Sequence, residues 1–294
     1  KLRMPFGFGV ATLRAVDQAL LVVRIADDAG RTATGIAAEC LLPKWFDKSA
    51  HLSDADNVAQ LRRSLDIAIA QYLAAGEDTA FGLAANGYLA QQARCAEEGL
   101  NPLVASYGPA VLDRAILDAV GCLTGMSLAR MVQSNMPGID ARLTPDLEAF
   151  DLPVFLAALK PGPTIALRHT VGLFDALTTA DRPPDAPGDG LPVTLEEVIA
   201  AYGCRYFKLK AAGDLAKDLD RLDAIAAVLD ASGVDYRCTL DGNEQYDDAE
   251  GILELWRRVA EWPSTRRLAA ATLFIEQPVR RAMALQQDIG ALAR

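Results

Sequence analysis

Apolar and polar positions change rhythm near the middle of the chain. The first 45 residues or so read as strands. Residues 19–26 (ALLVVRIA) form a strongly apolar run, Asp27-Asp28-Ala29-Gly30 signals a turn, and residues 32–38 can return as a hairpin partner. Ahead of them stands Pro5-Phe6-Gly7-Phe8-Gly9. It reads either as a loop joining strands or as a mobile flap that carries Phe6 and Phe8 to a substrate. After Asp54 the period lengthens: Val58, Leu61, Leu65, Ala68, Ile69 and Tyr72 keep helical spacing, with Gly76 to close the helix. Two more helical patterns run from about 79 to 98 and from about 109 to 120. Residues 1–150 therefore predict a small sheet followed by helices, an α+β unit.

From about Pro163 strands alternate with helices. A strand is expected over 164–169. The segment 170–192 follows, too rich in proline (Pro183, Pro184, Pro187) to be regular throughout, and has the character of a lid or binding loop. Thr194 and Glu197 have the spacing of a capping box. Next come a strand over 204–210, a helix capped by Asp214 with Leu215, Leu219, Leu222, Ala226 and Leu229 on one face, and a strand over 234–241. Asp247 and Glu250 open a helix that Pro263 stops. A strand over 271–276 and a helical piece from about Arg281 complete four β/α units, so residues 151–294 predict a parallel α/β arrangement. No internal repeat or low-complexity tract interrupts it.

Three of these strands end in charge: Lys208-Leu209-Lys210, then Asp241 with Asn243 two residues on, then Glu276. In a parallel sheet or barrel the C-terminal strand ends lie on one face, where sites are built. Side chains alternate along a strand, so Lys208 and Lys210 point the same way. Two ammonium groups that close disfavour each other's charge, and one or both pKa values should fall, as a lysine base requires. Asp241 and Glu276 would repel unless a cation joined them, and paired carboxylate oxygens suit Mg²⁺. A cation beside a lysine base suits removal of a proton from carbon next to a carboxylate, with the metal holding the carboxylate oxygen and stabilising the enolate. Any one charged strand end is commonly a solvated loop start, and Asp-Gly-Asn alone is a common turn. The functional reading rests on four residues in one register over three consecutive strands.

Composition narrows the field. A net charge of −10 and the absence of a basic run argue against nucleic acid and against an anionic membrane surface, and no apolar stretch approaches a membrane span. The five cysteines are scattered without a C-x-x-C, which reads as free thiols in a reducing, cytoplasmic compartment. With 51% hydrophobic residues the chain can bury a sizeable core.

The segments RYFKLK, TLDGNEQY and LFIEQPV resemble the enolase superfamily, in particular its mandelate racemase and muconate-lactonising branches. The resemblance implies an α+β capping domain over 1–150 followed by a TIM-type (β/α) barrel from 151. It implies that Lys210 is the favoured base, Lys208 its electrostatic partner, and Asp241 and Glu276 Mg²⁺ ligands. Asn243 would support the site, Phe6 and Phe8 would belong to a cap loop over the substrate, and His169, ending the first barrel strand, could face the pocket. The substrate would be a small carboxylic acid, and the outcome racemisation or epimerisation, cycloisomerisation, or dehydration of an acid sugar.

The chain departs from that pattern in one respect. The family has a third metal carboxylate on the fifth barrel strand and further acid–base residues beyond it, whereas roughly 130 residues follow Pro163 and a full barrel takes about 250. An incomplete barrel, truncated from a longer protein, is expected, as the start at Lys1 rather than Met also suggests. A second copy completing the core is the other possibility, since a half barrel has open edges that favour a homo-oligomer. Two rival functions follow. One is a catalytically incomplete fragment or interaction subunit that keeps the site's relics. The other is a Schiff-base aldolase using Lys208 or Lys210.

Overall fold

The computed structural model describes residues 1–8 and 11–284. Contacts gather them into two compact units: Val16–Pro163, and Lys1–Ala15 together with the residues from Thr164 on. In this grouping the first fifteen residues pack with the later unit.

Strands β1 (Phe6–Phe8) and β2 (Ala11–Leu13) pair antiparallel, with Phe6 opposite Leu13. What reads in sequence as a loop is therefore half of a short hairpin. Gly9 and the side chain of Phe8 lie outside the described residues. Arg3 anchors the hairpin. Its guanidinium donates to both carboxylate oxygens of Asp189 at 2.7 Å and to the carbonyls of Leu191 and Pro192 at 2.9 Å. Gly7 lies under the ring of Phe174, where a Cβ would come within 2.5 Å of a ring carbon.

In the Val16–Pro163 unit, β3 (Gln18–Ala26) and β4 (Thr32–Cys40) form the expected antiparallel hairpin. Helices follow: α1 (Asp54–Ala74), α2 (Ala80–Glu97), α3 (Pro102–Ala105), α4 (Tyr107–Thr124), α5 (Leu128–Gln133) and α6 (Leu152–Ala158). Ser53 and Asp56 cap α1 reciprocally, and Thr79 caps α2. Helix α4 begins two residues before Pro109, since a proline in the first turn gives up no intrahelical bond. Ala37 and Leu41 pack with Leu61, Val104, Tyr107, Val111 and Ala115 as the core of this unit.

In the second unit the chain runs through β5 (Arg168–Val171), α7 (Leu195–Tyr202), β6 (Tyr206–Lys210), α8 (Leu215–Ala231), β7 (Arg237–Asp241), α9 (Ala249–Glu261), α10 (Arg266–Ala271), β8 (Thr272–Glu276) and α11 (Arg281–Ala284). Among the described residues β5 to β8 form a four-stranded parallel sheet in sequential order. The helical piece expected from Arg281 is described only as far as Ala284. Caps explain the boundaries: Thr194 and Glu197 make the reciprocal box of α7, Asp214 caps α8, and Asp248, rather than the expected Asp247, caps α9. One face of the sheet is apolar. Phe207, Leu209, Cys238 and Leu240 pack against Leu222, Ile225, Ala226 and Leu229 of α8 and Ile252, Leu255 and Val259 of α9. At roughly 25 cal/mol per Å² of apolar surface, this burial is what holds the strands in place.

Strand β5 starts later than the expected 164–169. Pairing begins at Arg168, opposite Tyr206, and Ile165 and Leu167 before it remain exposed. The strand ends at Val171, so His169 is not at its tip. Among the described residues no helix is long and apolar enough to cross a membrane.

Candidate active site

The face of the sheet turned away from α8 and α9 carries the charges. Register puts Lys210 opposite Asp241 and Asp241 opposite Glu276, so three strand ends meet in one row, while Lys208 lies opposite Thr239 one step back. Lys210 and Asp241 are buried, at 4% and 0% exposure. Two ammonium groups and two carboxylates therefore share one low-dielectric space, where charges must pair.

They pair closely. Asp241 Oδ2 is 2.7 Å from Lys208 Nζ and 2.7 Å from Lys210 Nζ. Lys208 Nζ is also 2.9 Å from Glu276 Oε1, and Lys210 Nζ donates to Asn243 Oδ1 at 3.0 Å. The turn after β7 is built for this. Asn243 N donates to Asp241 Oδ1 at 2.8 Å, and Asn243 and Glu244 adopt positive φ. Gly242 lets the turn approach β8: its N–H donates to Glu276 O at 2.9 Å, and a Cβ there would lie 2.7 Å from Gln277 O. Asp-Gly-Asn is a common turn in sequence. Here it is the geometry that aims the Asp241 carboxylate at two lysines.

The two lysines are pushed apart in acidity. Burial lowers the pKa of Lys210 below the ordinary lysine value, although its bond to Asp241 acts the other way. Burial also acts to lower Lys208, but its bonds to Asp241 and Glu276 outweigh that, and its pKa is raised. One lysine is eased toward the neutral form and the other is held charged. Burial acts to raise the Asp241 pKa, but the bonds from Lys208 and Lys210 overcome it and hold the carboxylate below its usual range.

The structure thus brings Lys208, Lys210, Asp241, Asn243 and Glu276 together. It does not bring His169 to them. His169 lies opposite Phe207 in the register, with the two rings edge to face at 6.4 Å, so it belongs to the helix-packed side. Strand alternation is the reason: Arg168 and Thr170 share the lysines' side. Phe6 lies in β1, paired with Leu13 of β2.

Two contributors escaped the sequence reading. Arg168 Nη1 donates to Thr239 Oγ1 at 2.9 Å and stands 3.6 Å from Glu276 Oε1. Only the strand register reveals it. Asp218 of α8 is buried and accepts from Ala212 N at 2.8 Å, Gly213 N at 3.0 Å and Tyr246 OH at 2.8 Å. It ties the loop after Lys210 to the segment after β7. Asp218→Ala would leave buried donors unpaired and is expected to lower stability by about 3 kcal/mol. Urea unfolding measures this, and a loss below about 1 kcal/mol would show that the network does not brace these loops.

The donor set suits a hard divalent cation in part. Asp241 and Glu276 offer carboxylate oxygens from adjacent strand ends, and Mg²⁺ is often held by one or two carboxylates with water and substrate completing its shell. Glu276 Oε1 is buried and has no hydrogen-bond partner of good geometry among the described residues, despite the ammonium 2.9 Å away. Among the described residues no group of three His, Cys, Asp or Glu side chains could hold a metal. A cleft of about 650 Å³ lies elsewhere, between the β1–β2 hairpin and the loop after β5, lined by Arg3, Gly7, Arg14, Phe174 and Asp185. The site is therefore identified by its charge geometry rather than by the size of a cavity.

No family model and no curated protein matches the chain. Solved structures do. A mandelate racemase/muconate lactonizing protein from Herpetosiphon aurantiacus matches over 96% of this chain at 20% identity and a TM-score of 0.51. A muconate lactonizing enzyme from Pseudomonas fluorescens, complexed with muconolactone, matches over 95% at 18% identity and a TM-score of 0.51. A muconate cycloisomerase from Pseudomonas fluorescens matches over 98% at 17% identity and a TM-score of 0.50. The chain spans 58%, 57% and 61% of those chains respectively. Over nearly its whole length, this chain has the fold of part of a mandelate racemase/muconate lactonizing protein.

Proposed function

We propose that this chain carries the proton-abstraction half of a Mg²⁺-dependent site acting on a small carboxylic acid, with its four-stranded sheet forming part of a (β/α) barrel. The observation that carries the reading is the row Lys210–Asp241–Glu276 with Lys208 one step behind it. Groups whose environments drive their pKa values apart are the pattern of an acid–base site. Lys210, eased toward neutrality by burial, takes the proton from the carbon next to the substrate carboxylate. Asn243 holds the Lys210 amine in place. Lys208, held charged, meets the negative charge that develops on the substrate's oxygens. Asp241 and Glu276 would hold the divalent cation, which when bound supplies Lewis-acid stabilisation of that charge. Racemisation or epimerisation, cycloisomerisation and dehydration all begin with this step.

A second reading is favoured by one observation: no third carboxylate joins the two among the described residues. On that reading the chain is a catalytically incomplete piece or an interaction subunit. The Schiff-base alternative fares worse, because both amines are engaged by Asp241. The two leading readings separate in one experiment. The protein is incubated with a panel of α-substituted carboxylates and Mg²⁺ in D₂O, and loss of the α-proton signal is followed by NMR. Metal-dependent exchange supports the enzyme. Mg²⁺ binding without exchange of any panel member supports the incomplete site.

A further inference from the structure

We infer that Lys208 is a displaceable internal cation: its ammonium holds the space between Asp241 and Glu276, and a divalent ion must drive it out to bind. The inference rests on the Mg²⁺ site proposed above and adds a role for Lys208 that precedes any chemistry.

The geometry distinguishes the two lysines. Lys208 Nζ bridges the two carboxylates, 2.7 Å from Asp241 Oδ2 and 2.9 Å from Glu276 Oε1. Lys210 touches Asp241 and is held a second time by Asn243 Oδ1 at 3.0 Å. The side chain of Lys208 is 15% exposed and that of Lys210 3%. Lys208 therefore has both a way out and only the two carboxylates to leave, whereas Lys210 is fastened from two sides and enclosed.

Charge and shared ligands make the exchange necessary. Lys208, Lys210 and the Arg168 guanidinium, 3.6 Å from Glu276, already outnumber the two carboxylates. A divalent ion added with both lysines in place would raise that positive excess by two more charges around largely buried groups, where such an imbalance is costly. A Mg²⁺ ion sits about 2.0–2.1 Å from its oxygens. Asp241 and Glu276, the residues that would hold such an ion, are the ones the Lys208 ammonium bridges, so the ion and the ammonium would compete for the same carboxylates. The weakly satisfied Glu276 Oε1, paired with Lys208 but lacking a well-formed hydrogen bond, marks the side on which the ammonium is held less firmly. Once released on its flexible four-carbon stem, the Lys208 ammonium becomes available to an anionic ligand at the same strand ends. Cation binding would then precede and prepare anion binding.

The test is titration calorimetry with Mg²⁺ on the wild-type chain and on Lys208→Met, Lys208→Gln and Asp241→Asn, with thermal unfolding of each in the presence and absence of Mg²⁺. Lys208→Gln keeps a polar stem and is read if Lys208→Met does not fold. Removing the competing ammonium is expected to tighten Mg²⁺ binding at least tenfold, and to give a variant that is less stable than wild type without Mg²⁺ but gains more from it. Binding in the Lys208 variants that is no tighter than in the wild type would overturn the displacement while leaving the cation site standing. Mg²⁺ binding unchanged in Asp241→Asn would place the cation elsewhere and overturn the site itself, as would no binding in any form.

Discussion

Lys210→Ala is expected to slow α-proton exchange by about 10²–10⁴-fold in any form of the protein that catalyses it, the usual contribution of a positioned base. The size of the effect follows from how the amine is held. Lys210 is enclosed, aligned with Asp241 in the strand register and bonded to Asn243, whereas the neighbouring amine, Lys208, is held charged. The loss should fall on the chemical step, seen as a drop in kcat with little change in Mg²⁺ affinity. Because burial lowers the Lys210 pKa, the rate should rise with pH through a value below that of an ordinary lysine. Lys208→Ala is the contrast, since it should alter cation binding as well as rate. Full exchange by Lys210→Ala would remove lysine 210 from the role of base.

The largest expected effect on stability is at Asp241. Asp241→Ala leaves two lysines in a pocket stripped of their shared counter-ion and is expected to cost about 3–5 kcal/mol, the penalty for breaking a buried pair from one side. Urea unfolding at neutral pH measures it. A cost under about 1 kcal/mol would mean that the lysines find water or other partners readily and that the pocket is not the low-dielectric space its burial implies. Asp241 also predicts a pH dependence. Its carboxylate is held below the usual range, so folding favours the ionised form. That contribution is full above the ordinary carboxylate value of about 3.9 and is lost as pH falls through the depressed folded value. Below about pH 4 the urea midpoint of the wild type should therefore fall more steeply than that of Asp241→Asn.

Order along the chain carried much of this architecture. The switch from strand and helix blocks to alternating β/α units, the caps at Thr194 and Asp214, and the charged ends of β6, β7 and β8 are local features, set by side-chain period and by residues a few positions apart. Lys208, Lys210, Asp241 and Glu276 were legible for the same reason, because each closes an apolar run and three such runs share one rule of direction. Other assignments depend on which residues of separate strands stand side by side. The apolar pattern places His169 at a strand end, but β5 begins at Arg168 and runs on to Val171, and pairing with Phe207 turns the ring toward the helices. Arg168 reaches Thr239 and Glu276 only because β5 pairs with β6 and β6 with β7. Of the two lysines, one or both of which the pairing predicts to fall in pKa, Lys210 is lowered, chiefly by burial, while burial of Lys208 is outweighed by its bonds to Asp241 and Glu276. A strand's alternation fixes which residues share a face. Register between strands far apart in sequence fixes which charges touch, and at 3 Å inside a buried sheet that contact decides which lysine is held charged.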